Sequence, residues 1–198
     1  MTMIDTHIYM VRHAESVHIH GEERSRGLTE EGLLHAKYIA DLFANIQVDV
    51  VVSSPYERAI QTVQYIAAEK GLNIQEYEDL RERPIKGLNY KETWDVIVEA
   101  IRVSFDDKDY ALQGGETTNQ ARERSVPTLE LLLEQYEGKH VVIGTHGNIM
   151  TIMMNYYHSK YDYHFWEQTS KPDIYHLIFR DKKLTEVNRL WKDNLFLS

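Results

Sequence analysis

Short apolar runs alternate with longer helical patterns along this chain, and that alternation limits its possible folds more than any other feature. Residues 7–11 (HIYMV), 48–52 (VDVVV) and 140–144 (HVVIG) read as buried strands, with residues 74–77 a weaker fourth. Helical patterns lie between them. Residues 29–44 carry Leu33, Ala36, Ala40 and Phe43 at helical spacing. Ser54 and Pro55 read as the N-cap and first residue of a helix that Gly71 closes, and residues 118–136 form another, ended by Gly138. Such alternation implies a mostly parallel sheet with helices on both faces, a three-layer α/β sandwich. Residues 174–179 and 184–190 flank Asp181-Lys182-Lys183 and predict a C-terminal hairpin. Residues 84–113, helical around 91–105, read as a small helical insertion above the sheet. With 198 residues, 42% of them hydrophobic, one domain covering 1–198 is the expectation.

The formal charge of −9, from 31 acidic and 22 basic residues, argues against nucleic acid or an anionic membrane as a partner. No apolar run is long enough to span a bilayer, and residues 1–5 show no secretion signal. The chain has no cysteine, so disulfides, thiolate metal sites and thiolate nucleophiles are all excluded. A cytoplasmic location fits that composition. The tail Leu195-Phe196-Leu197 is expected either to bury or to stay adhesive.

In sheets of this kind ligands bind beyond the carboxyl ends of the strands. The residues there are Arg12-His13, Ser53-Ser54-Pro55 and Thr145-His146-Gly147, with Arg58 one helical turn beyond Ser54. An Arg-His pair by itself carries little information. Neighbours on a strand point to opposite faces, so Arg12 and His13 reach one ligand only if the chain turns there. A strand end supplies that turn. His146 precedes a helical pattern whose free N–H groups would form an anion site.

Several blocks now fall into one order: Arg12-His13-Ala14-Glu15-Ser16, Leu28-Thr29-Glu30-Glu31-Gly32, Ser53-Ser54-Pro55-Tyr56-Glu57-Arg58-Ala59-Ile60-Gln61-Thr62, Leu80-Arg81-Glu82, Gly114-Gly115-Glu116-Thr117 and Gly144-Thr145-His146-Gly147. In these the chain resembles the histidine phosphatase superfamily, the phosphoglycerate mutase-like proteins. The resemblance implies that His13 attacks phosphorus and that Arg12, Arg58 and His146 bind the phosphoryl oxygens. It implies that Glu82 protonates the leaving oxygen and then activates water. Glu116 is the rival acid, and Ser16 is expected to add a hydroxyl to the pocket. No metal and no cofactor are called for, since the cations are built in. His18 and His20, or His158 and His164, lack the carboxylates that would complete a metal site.

Each role has a plainer rival: a hydrogen-bonded strand-end histidine, a solvated helical arginine, or, for Glu82, a surface carboxylate in a charge-rich stretch. The ring-rich stretch 156–166 is read as packing over the sheet edge. Ala14 stands where the family usually has glycine and brings a methyl near the phosphate. His35 departs from the usual Gln. Ile19 and the run Arg83-Pro84-Ile85-Lys86-Gly87 depart from the mutase pattern, which favours hydrolysis. The expected substrate is a small phosphorylated metabolite or a phosphoprotein. A mutase-type phosphotransferase and a non-catalytic phosphate-binding protein are the alternatives. Arg24 and Arg26 are candidates for holding a second acidic group, although a solvated loop is the plainer reading. The sequence does not indicate the oligomeric state.

Overall fold

A computed structural model describes residues 4–192; the tail Leu195-Phe196-Leu197 lies outside them. The elements are β1 (Asp5–Arg12), α1 (Glu30–Phe43), β2 (Val50–Ser53), α2 (Glu57–Lys70), β3 (Ile74–Glu76), α3 (Trp94–Asp106), α4 (Thr118–Gln135), β4 (His140–Thr145), α5 (Gly147–Tyr157), α6 (Tyr163–Glu167), β5 (Asp173–Arg180) and β6 (Lys183–Arg189). The six strands form one sheet in the order β3-β2-β4-β1-β5-β6. The first four run parallel, and the hairpin β5-β6 adds antiparallel to β1.

The unbroken apolar runs follow from burial on both faces. Along β1, Ile8 and Met10 join one core with Leu129 and Leu132 of α4 and Ile149 and Met153 of α5. Tyr9 and Val11 join the opposite core with Ile39 and Phe43 of α1 and Val63 and Ile66 of α2. Thr29 caps α1 through Gly32 N–H, and Thr117 with Gln120 forms a capping box at α4. At the hairpin tip Asp181 and Lys182 adopt φ of 49° and 60°, as a tight primed turn requires.

Among the boundaries that differ from the sequence reading, two have a clear local cause. Strand β2 begins at Val50, because the Asp49 carboxylate turns to accept the His140 N–H at 2.8 Å. Helix α2 begins at Glu57, with Tyr56 at its cap, so Ser54 and Pro55 lie in the preceding turn. Ser54 is no cap because its Oγ meets His146 Nε2 at 2.8 Å and accepts from Tyr56 N–H at 3.2 Å. The insertion around α3 packs Ile85, Ala100 and Ile101 against Trp166 of α6. The ring-rich stretch therefore packs as expected, with Tyr161 in the main core, but Trp166 also lines the cleft described below.

On the α1/α2 side, β1, β4 and β5 stack their rings. His7 lies over His140 at 4.2 Å and Tyr9 over His176 at 4.4 Å, and His7 Nδ1 meets His176 Nε2 at 2.9 Å. Burial, then His7 and His140, push His176 down to about 4. An unfolded imidazole titrates near 6.5. Between these values the unfolded chain binds a proton that the folded chain refuses, so stability falls as pH drops from about 6.5 towards 4. Tm measured across that range should decline with acid, and His176→Gln should flatten the decline.

Candidate active site

The parallel register sets three strand ends side by side. Ser53 of β2 pairs with Gly144 of β4, Val11 of β1 pairs with the same glycine, and Arg12 pairs with Thr145. A cleft of about 720 Å³ opens above them, and its lining includes Arg12, His13, Ser16, Arg58 and Glu82.

His13 is the best-defined group. Its Nδ1 lies 2.7 Å from the Ala14 carbonyl, which can only accept, so the ring proton sits on Nδ1. Nε2 is left with a lone pair, which accepts from Arg58 Nε at 3.2 Å. Burial, then the Arg58 charge, hold His13 well below the usual imidazole range, so the neutral ring prevails at neutral pH. Ala14 N–H donates to Thr62 Oγ1 at 3.0 Å, which ties this turn to α2. The Ala14 methyl packs with Leu28 and Ala36 and does not line the cleft. The residue also has no positive φ, so the departure from glycine brings neither backbone strain nor a methyl beside the phosphate.

Arg12 lies flat on Gly147: a Cβ there would stand 2.6 Å from the guanidinium carbon. Its Nη1 donates to the Thr169 carbonyl at 3.1 Å and to the Thr169 hydroxyl. Buried Asp173 holds that segment by accepting from Ser170 N–H at 3.0 Å and pairing with Arg189 at 2.9 Å. Arg58 is 1% exposed. It stacks over Tyr56 at 4.9 Å and pairs with Glu23 at 3.4 Å. Burial, then Arg26, lower it to about 10, still well above neutral pH, so it stays cationic.

His146 sits one layer below the cleft lining, fully buried, with its ring edge-on to His13 at 5.3 Å and to Tyr56 at 5.2 Å. Burial, then Arg58, hold it well below 6.5 as well. Arg12 Nε, His146 Nδ1 and both amide atoms of Asn148 are buried without a hydrogen-bond partner among the described residues. Such groups are costly unless a ligand meets them.

Glu82 changes the reading of the α5 terminus. Its Oε1 accepts from Ile149 N–H at 2.8 Å and Arg83 N–H at 2.9 Å, and its Oε2 from Asn148 N–H at 3.2 Å. The helix start expected to be free for an anion is therefore occupied by the protein's own carboxylate. Glu116 lies outside the cleft lining, clasped by Arg124 through two contacts of 2.7 Å. Ser16 Oγ accepts from Arg26 Nη1 at 2.5 Å at the cleft edge. Arg24 pairs instead with exposed Glu78 at 2.7 Å. Among the described residues no group of histidines and carboxylates is arranged to hold a metal ion.

Sequence reasoning missed Asn148, Lys171, Glu23 and Thr169. Asn148 stands two residues beyond His146 and was within reach of a strand-end search. Lys171 and Thr169 precede β5, so only the antiparallel return of that strand brings them near Arg12. Partial removal from water, then Arg12 and Arg26, push the Lys171 amine below the usual lysine range.

The model of the histidine phosphatase superfamily (branch 1) matches residues 8–191. The chain belongs to that superfamily. A metal-independent phosphoserine phosphatase of Arabidopsis thaliana is 32% identical over 157 residues, covering 73% of this chain and 66% of its own length. The chain thus spans just under two-thirds of that relative's length. Its fold is similar to that of a mycobacterial glucosyl-3-phosphoglycerate phosphatase (TM-score 0.72, 20% identity, 94% of this chain and 97% of that one). It is also similar to a mutant phosphoserine phosphatase of Entamoeba histolytica complexed with phosphoserine (TM-score 0.73, 23% identity, 92% and 96%).

Gly147 offers a sharp test of the Arg12 geometry. In Gly147→Ala the new methyl meets the Arg12 guanidinium, which is itself buried and held by Thr169, so Tm should fall by a few degrees while the fold persists. If Arg12 binds the transferred phosphoryl group, kcat/KM for an aryl phosphate should fall at least about tenfold, the scale of about one charge-assisted hydrogen bond. Unchanged kcat/KM would remove Arg12 from the site.

Proposed function

We propose that this chain hydrolyses phosphomonoesters through a phosphohistidine on His13, without metal or cofactor. The observation that carries the reading is the buried neutral His13, its proton committed to the Ala14 carbonyl and its Nε2 lone pair beside Arg58. In the first step Nε2 forms a bond to phosphorus as the ester P–O bond breaks. Glu82 begins the cycle as the carboxylic acid, and the leaving oxygen takes its proton. In the second step Glu82 removes a proton from water, whose oxygen attacks phosphorus while the P–N bond breaks. Phosphate departs and neutral His13 is restored. Arg12 and Arg58 act on the phosphoryl oxygens, where charge spreads in the transition state, and His146 offers its unpartnered Nδ1 to them from the layer below. Asn148 joins them through its unpartnered amide, and Ser16 acts indirectly by holding Arg26.

The phosphoserine and glucosyl-3-phosphoglycerate named for the relatives support a phosphorylated small molecule as substrate. The mutase alternative gains no support from the residues after Glu82. Arg83 is turned inward to Ser104 Oγ at 2.7 Å and to the carbonyls of Glu116 and Tyr110, so it offers no second phosphate position. In this reading the chain acts as one unit, with residues 84–113 as a wall of the cleft. No described helix is long and apolar enough to cross a membrane. The cysteine-free composition supports a cytoplasmic location.

Hydrolysis of p-nitrophenyl phosphate should persist in excess chelator and vanish in His13→Ala. Full activity of that variant, or strict dependence on added divalent metal, would exclude the mechanism. Glu82→Gln should lower kcat/KM, which reports the first step, by about 10²–10⁴-fold for alkyl phosphates and much less for p-nitrophenyl phosphate, whose leaving group needs no proton. Equal slowing of both would move the acid role to another group.

A further inference from the structure

The cleft is far larger than its phosphate-binding floor. Its volume of about 720 Å³ lies within the roughly 300–1,000 Å³ of sites that enclose drug-sized ligands. A three-carbon phosphoester anchored at His13 would leave most of it open.

Above the floor the lining changes character. Ile85, Ile97, Ile101 and Trp166 form one wall, and Leu88 and Trp94 stand in the same lining. The wall is the outer face of the small apolar cluster that the insertion builds with α6. Leu88 is 53% exposed and Trp94 61%. Scattered exposed apolar residues need no explanation, but these two extend an apolar wall inside a cavity. Helix formation does not call for a tryptophan at position 94: Thr93 already caps α3 through Val96 N–H, and Ala100, Ile101 and Ser104 supply its buried face. The polar groups on this side are largely committed elsewhere. Lys86 Nζ turns to the carbonyls of Gly87 and Tyr90, and Arg83 points inward. Lys91 and Glu92 also line the cleft, with opposite charges.

We propose that this wall is a subsite for an uncharged apolar or aromatic group on the ester. Phosphomonoesters of apolar alcohols are then preferred over those of small polar alcohols. Leu88, Trp94 and Ile97 are the residues that set this preference. The inference rests on the phosphatase reading of the same cleft, and it adds what the far end of the substrate must be.

Ethyl phosphate and 2-phenylethyl phosphate release primary alcohols of similar acidity and differ in the apolar group, so their kcat/KM ratio isolates the subsite. The expected ratio is at least ten in favour of the phenylethyl ester. Trp94→Ala combined with Leu88→Ser should lower it at least threefold. Equal kcat/KM values, or a ratio the double variant leaves intact, would overturn the proposal. A Trp94-dependent dimer in sedimentation together with an intact ratio would assign the rim to a second copy of the chain instead. The matching phosphonates, which cannot be hydrolysed, are titrated by calorimetry in parallel. Tighter binding of the phenylethyl phosphonate without turnover of either ester would keep the subsite and reject the phosphatase reading. Turnover without discrimination would do the reverse.

Discussion

Parallel pairing of β1 with β4, and of β4 with β2, is the constraint on which the candidate site depends. Because Arg12 pairs with Thr145, His13 and His146 emerge at one level, and Ser54 emerges one residue short of them, since Ser53 pairs with Gly144. A slip of one residue in either ladder would turn one of them into the opposite face. The double-sided core fixes the register, since Ile8 and Met10 must meet α4 and α5 while Tyr9 and Val11 meet α1 and α2.

Packing so much positive charge beneath a cleft is costly, because a buried charge loses its hydration. The structure offsets that cost locally. Glu23 bridges Arg58 and Arg26, Thr169 receives Arg12, and the Tyr56 ring lies against Arg58. Two neutral histidines lie among these cations, kept unprotonated first by burial and then by the positive field around them. The chain as a whole is acidic, so the cations gathered here run against its net charge of −9.

Much of the fold was legible because strand and helix periodicities are local. The sheet strands, helices α1 and α4 and the hairpin all follow from residues within a few positions of one another. The Ser54-Pro55 helix start was misplaced because a serine that serves as a cap in isolation is here drawn to His146, 92 positions away. Ala14 was read as crowding the phosphate because its direction depends on Leu28 and Ala36, which a linear pattern does not place. The free helix start at α5 was misread for the same reason, since Glu82 arrives from a distant loop.

The sequence by itself determined the alternation of elements, the histidines and arginine at the strand ends, and the absence of any thiol chemistry. Composition and local spacing are enough for these. Only the tertiary structure decided which tautomer His13 holds, that Glu82 rather than Glu116 faces the cleft, and that Lys171, Asn148 and Glu23 join it. It alone showed that α3 raises an apolar wall with Trp94 at its edge. Each of these depends on which partner a side chain meets across the fold, and a long-range partner is set by packing rather than by neighbours in the chain.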